Sequence, residues 1–138
     1  RGKDVGFVFQ SFHLMPRLTA LDNVMLPLEI SGDRYAMDKA QEALEQVGLS
    51  KRSKHFATQL SGGEKQRVAI ARSIVNKPKI LFADEPTGNL DIKSSGAITD
   101  LLFSLKELIN TTLVLVTHDL SLAEKCDEVF ELSEGQLL

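Results

Sequence analysis

Short apolar runs that alternate with helical patterns are the feature of this sequence that most restricts its fold. Three such runs, each typical of a buried strand, lie at residues 5–9, 80–83 and 112–117. The segments between them carry helical signals. Because strands that alternate with helices are joined by crossover connections, they form parallel sheets. The sequence therefore predicts an α/β domain with a mainly parallel sheet.

The predicted helices are located from their caps, apolar spacing and breakers. Asp33 is predicted to cap a helix that runs to Val47, and Gly48 to end it. Two further helices are predicted at about 64–76 and 92–109. The apolar stripe predicted for the last of these helices consists of Ile98, Leu101, Leu102, Leu105 and Leu108. A short helix from Ser121, a strand at 128–132 and a turn at Glu134 and Gly135 are predicted for the tail.

Composition limits the classes of function. The 138 residues, 43% hydrophobic and 25% charged, suit one globular domain. Lys and Arg number 16 against 19 Asp and Glu, a net charge of −3, so we expect no nucleic-acid partner. The single cysteine, Cys126, cannot form an internal disulfide and fits a reducing compartment. No apolar run approaches the roughly 18 to 20 residues that span a bilayer, so another subunit would supply any membrane anchor.

Polar side chains follow or end each of the first three predicted strands. They are Gln10, the adjacent pair Asp84 and Glu85, and His118. Ligands of open α/β sheets bind at the carboxyl ends of the strands, so these residues are candidates for one phosphate and Mg²⁺ site. Asp84 suits a metal ligand, with Gln10 contacting the metal or a water from the side. Glu85 suits a general base toward an attacking water, and His118 a hydrogen-bond donor to a terminal phosphate.

The turn formed by Ser61, Gly62 and Gly63 leads directly into a basic helical segment that starts near Glu64. One interpretation is that Ser and Gly only cap this helix. The other is an anion site, because the first turn of a helix has unpaired N–H groups and glycines let a phosphate approach them closely. The turn alone favours neither interpretation.

With these residues in place, the chain resembles the ATP-binding-cassette (ABC) ATPases over nearly all its length. The matching segments are residues 6–10 with Gln10 (Q-loop), 60–64 with Ser61 to Glu64 (signature motif), 80–85 with Glu85 (Walker B strand), Asn89, Leu90 and Asp91 (D-loop), and His118 (switch histidine). Residues 9–14 and 83–91 are similar to the lipoprotein-release and macrolide-efflux branch, LolD and MacB. The tail is most similar to YbbA-type ATPases of that branch.

The resemblance implies a partial P-loop NTPase fold, with a helical signature subdomain at about 12–76 and a catalytic core portion at 1–11 with 77–138. It implies an ATPase that uses ATP and Mg²⁺ and acts as a homodimer. Ser61, Gly62, Gly63 and Glu64 would bind the nucleotide held by the second subunit. The region that begins at Phe12 and ends at Leu28 would contact a membrane permease, on the inner face of the cytoplasmic membrane.

One family motif does not occur in the sequence. No Gly-x-x-x-x-Gly-Lys-Ser/Thr segment, the phosphate-binding P-loop, is found in the 138 residues, and Gly2, Lys3 and Asp4 do not replace it. We therefore expect a part of a longer ATPase that binds ATP very weakly by itself and does not hydrolyse it. We also expect uncovered sheet edges and apolar surface that favour self-association or strand exchange. The alternatives are a non-catalytic interaction fragment and a soluble ABC ATPase without a transport role.

Overall fold

The computed structural model describes residues 3–138. Residues 1 and 2, which belong to the predicted core portion 1–11, lie outside the described residues. The elements in chain order are β1 (Val5–Phe9), α1 (Ala20–Ile30), α2 (Ala36–Gln46), α3 (Gly62–Ile74), β2 (Ile80–Asp84), α4 (Ile92–Leu108), β3 (Thr112–Val116), α5 (Leu120–Ala123), β4 (Leu132–Ser133) and β5 (Gln136–Leu137). Two short 3₁₀ turns, Ser50–Arg52 and Ala57–Gln59, lie between α2 and α3.

Three of the four predicted strands form one parallel sheet in the order β1, β2, β3. Its register aligns Phe9, Asp84 and Val116, so all three strands end at the same edge. The predicted α/β fold with a parallel sheet is confirmed. Within residues 3–138, none of the helices combines the length and the apolar character that crossing a bilayer requires.

Helix α2 begins later than the sequence predicts. Its first residue is Ala36, and Tyr35 occupies the cap position without a side-chain cap bond. The carboxylate of Asp33 instead accepts a hydrogen bond from the Tyr35 N–H at 2.8 Å, which closes a turn before the helix. The prediction that Asp33 caps the helix is therefore wrong, because aspartate can also bond the backbone two residues on. Gly48, with φ of +77°, follows the helix as predicted.

One buried cluster joins the helices to the inner face of the sheet. Its fully or nearly fully buried members include Val8, Val24, Leu28, Leu44, Ile70, Ile74, Leu81, Ile98, Leu102 and Leu105. Most of the predicted α4 stripe lies in or against this cluster, but Leu108 is 64% exposed. The stripe continues four residues beyond Leu105 to Ile109, which packs against the cluster. Leu108 is displaced from that face because a helix repeats every 3.6 residues.

The outer face of the sheet is apolar and open to solvent. Phe7 stacks on Phe9 and on Phe82, with ring centroids 5.9 and 5.5 Å apart. Phe7 is 52% exposed, and Val114 and Val116 are also exposed. Exposed apolar surface of this kind was expected from the sequence. Self-association through this face remains an expectation.

The tail has no strand at 128–132, contrary to the sequence prediction. Residues 128–131 are irregular, and Val129 and Phe130 are largely exposed. Leu132 instead pairs with Leu137 in the small β4–β5 hairpin, whose turn is formed by the predicted residues Glu134 and Gly135. Apolar residues alone are not sufficient for a strand, because its N–H and C=O groups also need a neighbouring strand.

Gly6 is the position at which β1 lies closest to α3. A Cβ atom at residue 6 would overlap the carbonyl oxygen of Ser73, which is backbone and cannot rotate away. We expect Gly6→Ala to lower the free energy of unfolding by about 1–3 kcal/mol, measured by urea unfolding. The matched control is Gly96→Ala in α4, where a Cβ meets nothing within 4 Å. The control should keep or raise stability, by up to about 1 kcal/mol, and equal midpoints for the two variants would contradict the prediction.

Candidate functional site

The aligned strand ends bring three predicted site residues to one edge of the sheet. Gln10 directly follows β1, Glu85 directly follows β2, and His118 lies two residues beyond the end of β3. Their strands are neighbours in the order β1, β2, β3. The predicted grouping at the carboxyl ends of the strands therefore matches the geometry.

Glu85 and His118 are in direct contact. The His118 backbone N–H donates to Glu85 Oε1 at 3.0 Å, and His118 Nδ1 lies 2.7 Å from the same oxygen. Thr117 Oγ1 lies 3.5 Å from the other oxygen, Oε2. Glu85 has a φ of +45°, uncommon for a residue with a side chain, and its N–H is held by Val116 O at 2.8 Å. The fold therefore holds Glu85 in a strained conformation that directs its carboxylate to β3.

The ring of His118 is exposed, and the hydrogen bond to Glu85 raises its pKa, with the charge of the carboxylate as a second cause. The raised pKa favours the imidazolium, in which both ring nitrogens carry hydrogen. Since Nδ1 faces Glu85, the Nε2 N–H remains to donate to an anion. Within residues 3–138, the long Thr117 contact is the sole hydrogen bond to Glu85 Oε2, so this oxygen can accept a hydrogen bond from water.

Gln10 is tied to the predicted D-loop. Its Nε2 donates to Asn89 Oδ1 at 3.1 Å, and Asn89 Nδ2 donates to the backbone carbonyl of Gln10 at 3.1 Å. A Cβ at Gly88 would lie 2.6 Å from the Gln10 side-chain carbonyl carbon, so a side chain at residue 88 would displace the Gln10 amide. The pairing leaves the Gln10 side-chain oxygen available as a ligand for a metal or water.

The other D-loop residues have structural partners. Leu90 packs against the buried cluster. Asp91 caps α4 by accepting the Ser94 N–H at 2.7 Å, and this backbone hydrogen bond is the main cause that lowers the pKa of Asp91. Their functional roles remain predictions.

Asp84 is the last residue of β2, and its side chain is exposed at the sheet edge. The part of the chain that the structure describes contains no group of three or more His, Cys, Asp or Glu residues able to hold a metal. Magnesium does not require such a group, because it keeps several waters and takes one or two protein carboxylates together with phosphate oxygens. The carboxylate of Asp84 and the side-chain oxygen of Gln10 fit that donor set.

The turn at Ser61, Gly62 and Gly63, which we name the signature turn, forms a complete capping box with Glu64. Ser61 Oγ accepts the Glu64 N–H at 3.1 Å, and Glu64 Oε1 accepts the Ser61 N–H at 3.0 Å. Helix α3 therefore starts at Gly62, two residues earlier than predicted. The hydroxyl of Ser61 accepts this bond and keeps its own hydrogen to donate. Capping and anion binding are thus compatible at this turn.

A basic residue neutralises the carboxylate beside the signature turn. Arg52 Nε lies 3.1 Å from Glu64 Oε2. The hydrogen bond from the Ser61 backbone is the main cause that lowers the pKa of Glu64, and Arg52 lowers it further. Because the negative charge of Glu64 is paired with Arg52, it repels an anion at the turn less strongly.

The signature turn packs against the D-loop and the start of α4. A Cβ at Gly62 would lie 3.5 Å from Leu90 Cδ2, and a Cβ at Gly63 would lie 3.3 Å from Ser94 Oγ. Among the described residues, no hydrogen bond joins residues 61–64 to Gln10, Glu85 or His118. The chain thus carries two separate groups of candidate residues.

Several polar contacts near the site were not predicted. Arg72 donates to the carbonyls of His13 at 2.8 Å and Phe12 at 3.1 Å, and burial lowers the pKa of its guanidinium. Gln66 is fully buried and contacts the backbone of the strand ends. The available signal for Gln66 is its spacing, because it shares a helix face with the buried residues Ile70 and Ile74.

Comparison with known proteins identifies related chains. A family model described as ABC transporter matches residues 1–88. The chain is 55% identical over 139 residues to the protein named "Uncharacterized ABC transporter ATP-binding protein YbbA" of Escherichia coli (strain K12), covering 99% of this chain and 61% of that protein. It is 51% identical over 138 residues to "Lipoprotein-releasing system ATP-binding protein LolD" of Bdellovibrio bacteriovorus, covering 99% and 63%. The chain thus spans less than two thirds of the length of these curated relatives.

The fold is also similar to a solved structure. That structure is described as the dimeric structure of a post-hydrolysis state of the ATP-binding cassette MJ0796 bound to ADP and Pi. It matches with a TM-score of 0.83 and 41% identity, over 99% of this chain and 62% of the other. A second dimeric structure of MJ0796 matches with a TM-score of 0.84 and 42% identity, over the same shares.

The contact between Glu85 and His118 predicts a specific pH dependence. The pKa of His118, measured by NMR titration, should lie above its ordinary value and return toward it in Glu85→Gln. Because the folded-state pKa is raised, this contact stabilises the fold below the ordinary imidazole pKa, and the contribution is lost as pH rises through the raised pKa. Identical His118 titrations in the two proteins would contradict the prediction.

Proposed function

The chain belongs to the ABC transporter family, and on that basis we propose that it is part of a subunit that hydrolyses ATP to energise a membrane transporter. The observation that carries the proposal is the grouping of Gln10, Glu85 and His118 at one sheet edge. His118 Nδ1 lies 2.7 Å from Glu85 Oε1. A carboxylate can orient and deprotonate an attacking water, and a cationic donor beside it can neutralise phosphate charge, as phosphoryl transfer to water needs.

Each residue at the sheet edge has a distinct role in this proposal. Asp84 and the side-chain oxygen of Gln10 hold Mg²⁺, which supplies neutralising charge to the phosphates when bound. Glu85 Oε2 orients a water and accepts its proton as the water attacks the terminal phosphate. His118 Nε2–H donates to an oxygen of that phosphate, while Nδ1 stays on Glu85. Asn89 fixes the position of Gln10 through their two hydrogen bonds.

The signature turn is proposed to bind the nucleotide of a second subunit. The hydroxyl of Ser61 and the N–H groups of Gly62 and Gly63 face the same helix start, where anions are favoured. Glu64 completes the capping box that holds this turn in shape. The separation of this turn from the hydrogen bonds of Glu85 and His118 supports binding in trans, in a homodimer. The dimeric state of the MJ0796 structure supports the same assembly.

A membrane permease is the second proposed partner. The region from Phe12 to Leu28 presents an exposed loop, whose exposed residues are His13, Met15, Pro16 and Arg17. Asn23 fixes this loop by accepting the Met15 N–H at 2.8 Å and donating to the Thr19 carbonyl at 3.0 Å. We place the loop in a helical subdomain of residues 12–76, beside a core portion of residues 1–11 and 77–138. The subunit would then lie on the inner face of the cytoplasmic membrane.

The name of the LolD relative supports a role in the lipoprotein-release branch. The residues of this chain supply the catalytic base and the signature turn but no P-loop. We therefore propose that hydrolysis requires a P-loop segment in the same protein, and that this chain alone binds ATP weakly.

Replacing the proposed base tests the assignment of Glu85. In a protein that contains this chain and a P-loop, Glu85→Gln should lower kcat by roughly 100-fold or more, because shape is kept and the proton acceptor is lost. Nucleotide affinity should be retained. Phosphate release and a fluorescent-nucleotide titration measure the two effects. Glu107→Gln, at an exposed residue near the end of α4, serves as the control with unchanged turnover. Undiminished hydrolysis by Glu85→Gln would remove Glu85 from this role.

Filling the signature turn tests the proposed dimer. Ser61→Arg should prevent ATP-dependent dimerisation, because the larger side chain occupies the proposed phosphate position. Sedimentation velocity with ATP, in the Glu85→Gln background, measures the dimer. Ser104→Arg, on the exposed face of α4, is the matched control and should dimerise normally. Normal dimerisation of the Ser61 variant would exclude the turn from the interface.

A further inference from the structure

One buried side chain contacts the backbone beside both Gln10 and Glu85. Gln66, the fifth residue of α3, has no exposed surface. Its Nε2 donates to the Phe9 carbonyl at 3.0 Å and to the Pro86 carbonyl at 2.6 Å. Phe9 directly precedes Gln10, and Pro86 directly follows Glu85. A single amide group therefore bridges the ends of β1 and β2.

The chemistry of this contact requires an amide. A primary amide nitrogen has two hydrogens, and each has its own carbonyl acceptor. Among the described residues, the side-chain oxygen of Gln66 is buried without a hydrogen-bond partner. An unpaired buried acceptor destabilises a fold, and an apolar side chain would suit the helix face that Gln66 shares with Ile70. Core packing therefore does not explain why glutamine occupies this position.

The position of Gln66 also connects the two groups of candidate residues. Helix α3 begins at Gly62, in the signature turn, and reaches the strand ends one turn later at Gln66. Phe9 and Asp84 are the last paired residues of β1 and β2, so the pairing of these two strands does not extend to the residues that follow them. The two hydrogen bonds of Gln66 hold the strand ends at the point where Gln10 and Glu85 begin.

We propose that Gln66 is a positioning residue that sets the separation of Gln10 and Glu85 and links both to α3, the helix that begins in the signature turn. The inference rests on the proposed ATPase function and adds a residue to it. Gln66 does not contact the reacting atoms; it acts through the backbone of Phe9 and Pro86. A displacement of about 1 Å of catalytic groups can lower turnover by about 100-fold without preventing substrate binding. Loss of the Gln66 amide should therefore affect kcat more than KM.

The matched control lies on the same helix. Arg67 also donates from α3 to a backbone carbonyl, since its Nη1 lies 2.8 Å from Val47 O at the end of α2. That contact supports the helical region and does not touch the strand ends. Arg67→Met and Gln66→Met both replace a side-chain donor with an unbranched apolar chain. A purely structural role for Gln66 predicts the same kinetic behaviour for both variants.

The experiment compares these variants in a protein that contains this chain and a P-loop segment. We expect Gln66→Met to lower kcat at least tenfold with KM for ATP changed less than about threefold, while Arg67→Met keeps kcat near wild type. Thermal unfolding of both variants checks that the folded fraction is equal in the assay. Wild-type kcat in Gln66→Met, or an equal loss in Arg67→Met, would overturn the proposal.

A second variant covers the case in which Gln66→Met does not fold. Gln66→Glu keeps the shape; its protonated form can donate one hydrogen bond, and its charged form none. Activity relative to wild type should therefore rise as pH falls, and a pH profile parallel to wild type would overturn the proposal. If wild type does not hydrolyse ATP or Glu85→Gln stays active, the proposed function fails as well. If Glu85→Gln is inactive and Gln66→Met is fully active, only the role of Gln66 fails.

Discussion

The register of the parallel sheet is the constraint on which the candidate site depends. Phe9, Asp84 and Val116 lie side by side, so the three chains leave the sheet at the same edge. The next residues of two strands, Gln10 and Glu85, must therefore be near neighbours. A shift of one residue in either pairing would turn every side chain of that strand to the opposite face. The same pairing that buries Leu81 and Ala83 thus also places the catalytic candidates.

Helix α3 transmits this constraint to the rest of the molecule. Gly6 allows β1 to lie directly against the α3 backbone at Ser73, and this approach lets Gln66 reach Phe9. About two turns beyond Gln66, Arg72 donates to the carbonyls of Phe12 and His13 in the loop that follows Gln10. One helix therefore carries the signature turn at its start and fixes both the strand ends and the proposed permease loop. A movement of α3 would therefore displace the signature turn, the strand ends and the proposed permease loop together.

The sequence predicted the elements that apolar runs and turn residues mark, and it missed those that depend on which partner a hydrogen-bonding group takes. Apolar runs predict the three strands, and Gly48 predicts the end of α2. The residues at the strand ends follow from their position directly after the apolar runs. Asp33 was assigned as a cap because aspartate often caps helices, but its carboxylate bonds a turn residue instead. The prediction of a strand at 128–132 is wrong because apolar composition does not provide a neighbouring strand for it to pair with. Both errors concern where hydrogen bonds go, which composition does not specify.

The residues that sequence reasoning missed share a physical property. Gln66 and Arg72 are polar side chains of α3 that bond backbone carbonyls 20 to 60 residues away in the sequence. A backbone carbonyl has no side-chain identity, so no motif in the sequence marks it as a partner. The packing of β1 against α3, which is closest at Gly6, brings the carbonyls of Phe9, Phe12 and His13 within reach of these side chains. A motif therefore marks the side chains that face a ligand, whereas the side chains that hold the motif in place depend on the packing of distant elements.

The two interpretations of the signature turn are reconciled by how its hydrogen bonds are shared. A capping box uses the Ser61 oxygen as an acceptor and the Glu64 carboxylate as a second acceptor. It leaves the Ser61 hydroxyl hydrogen and the N–H groups of Gly62 and Gly63 to an external anion. Arg52 forms an ion pair with Glu64 and so reduces the repulsion between that carboxylate and an anion at the turn. The cap is therefore compatible with the proposed phosphate contact, because the groups that it uses are not those that a phosphate would need.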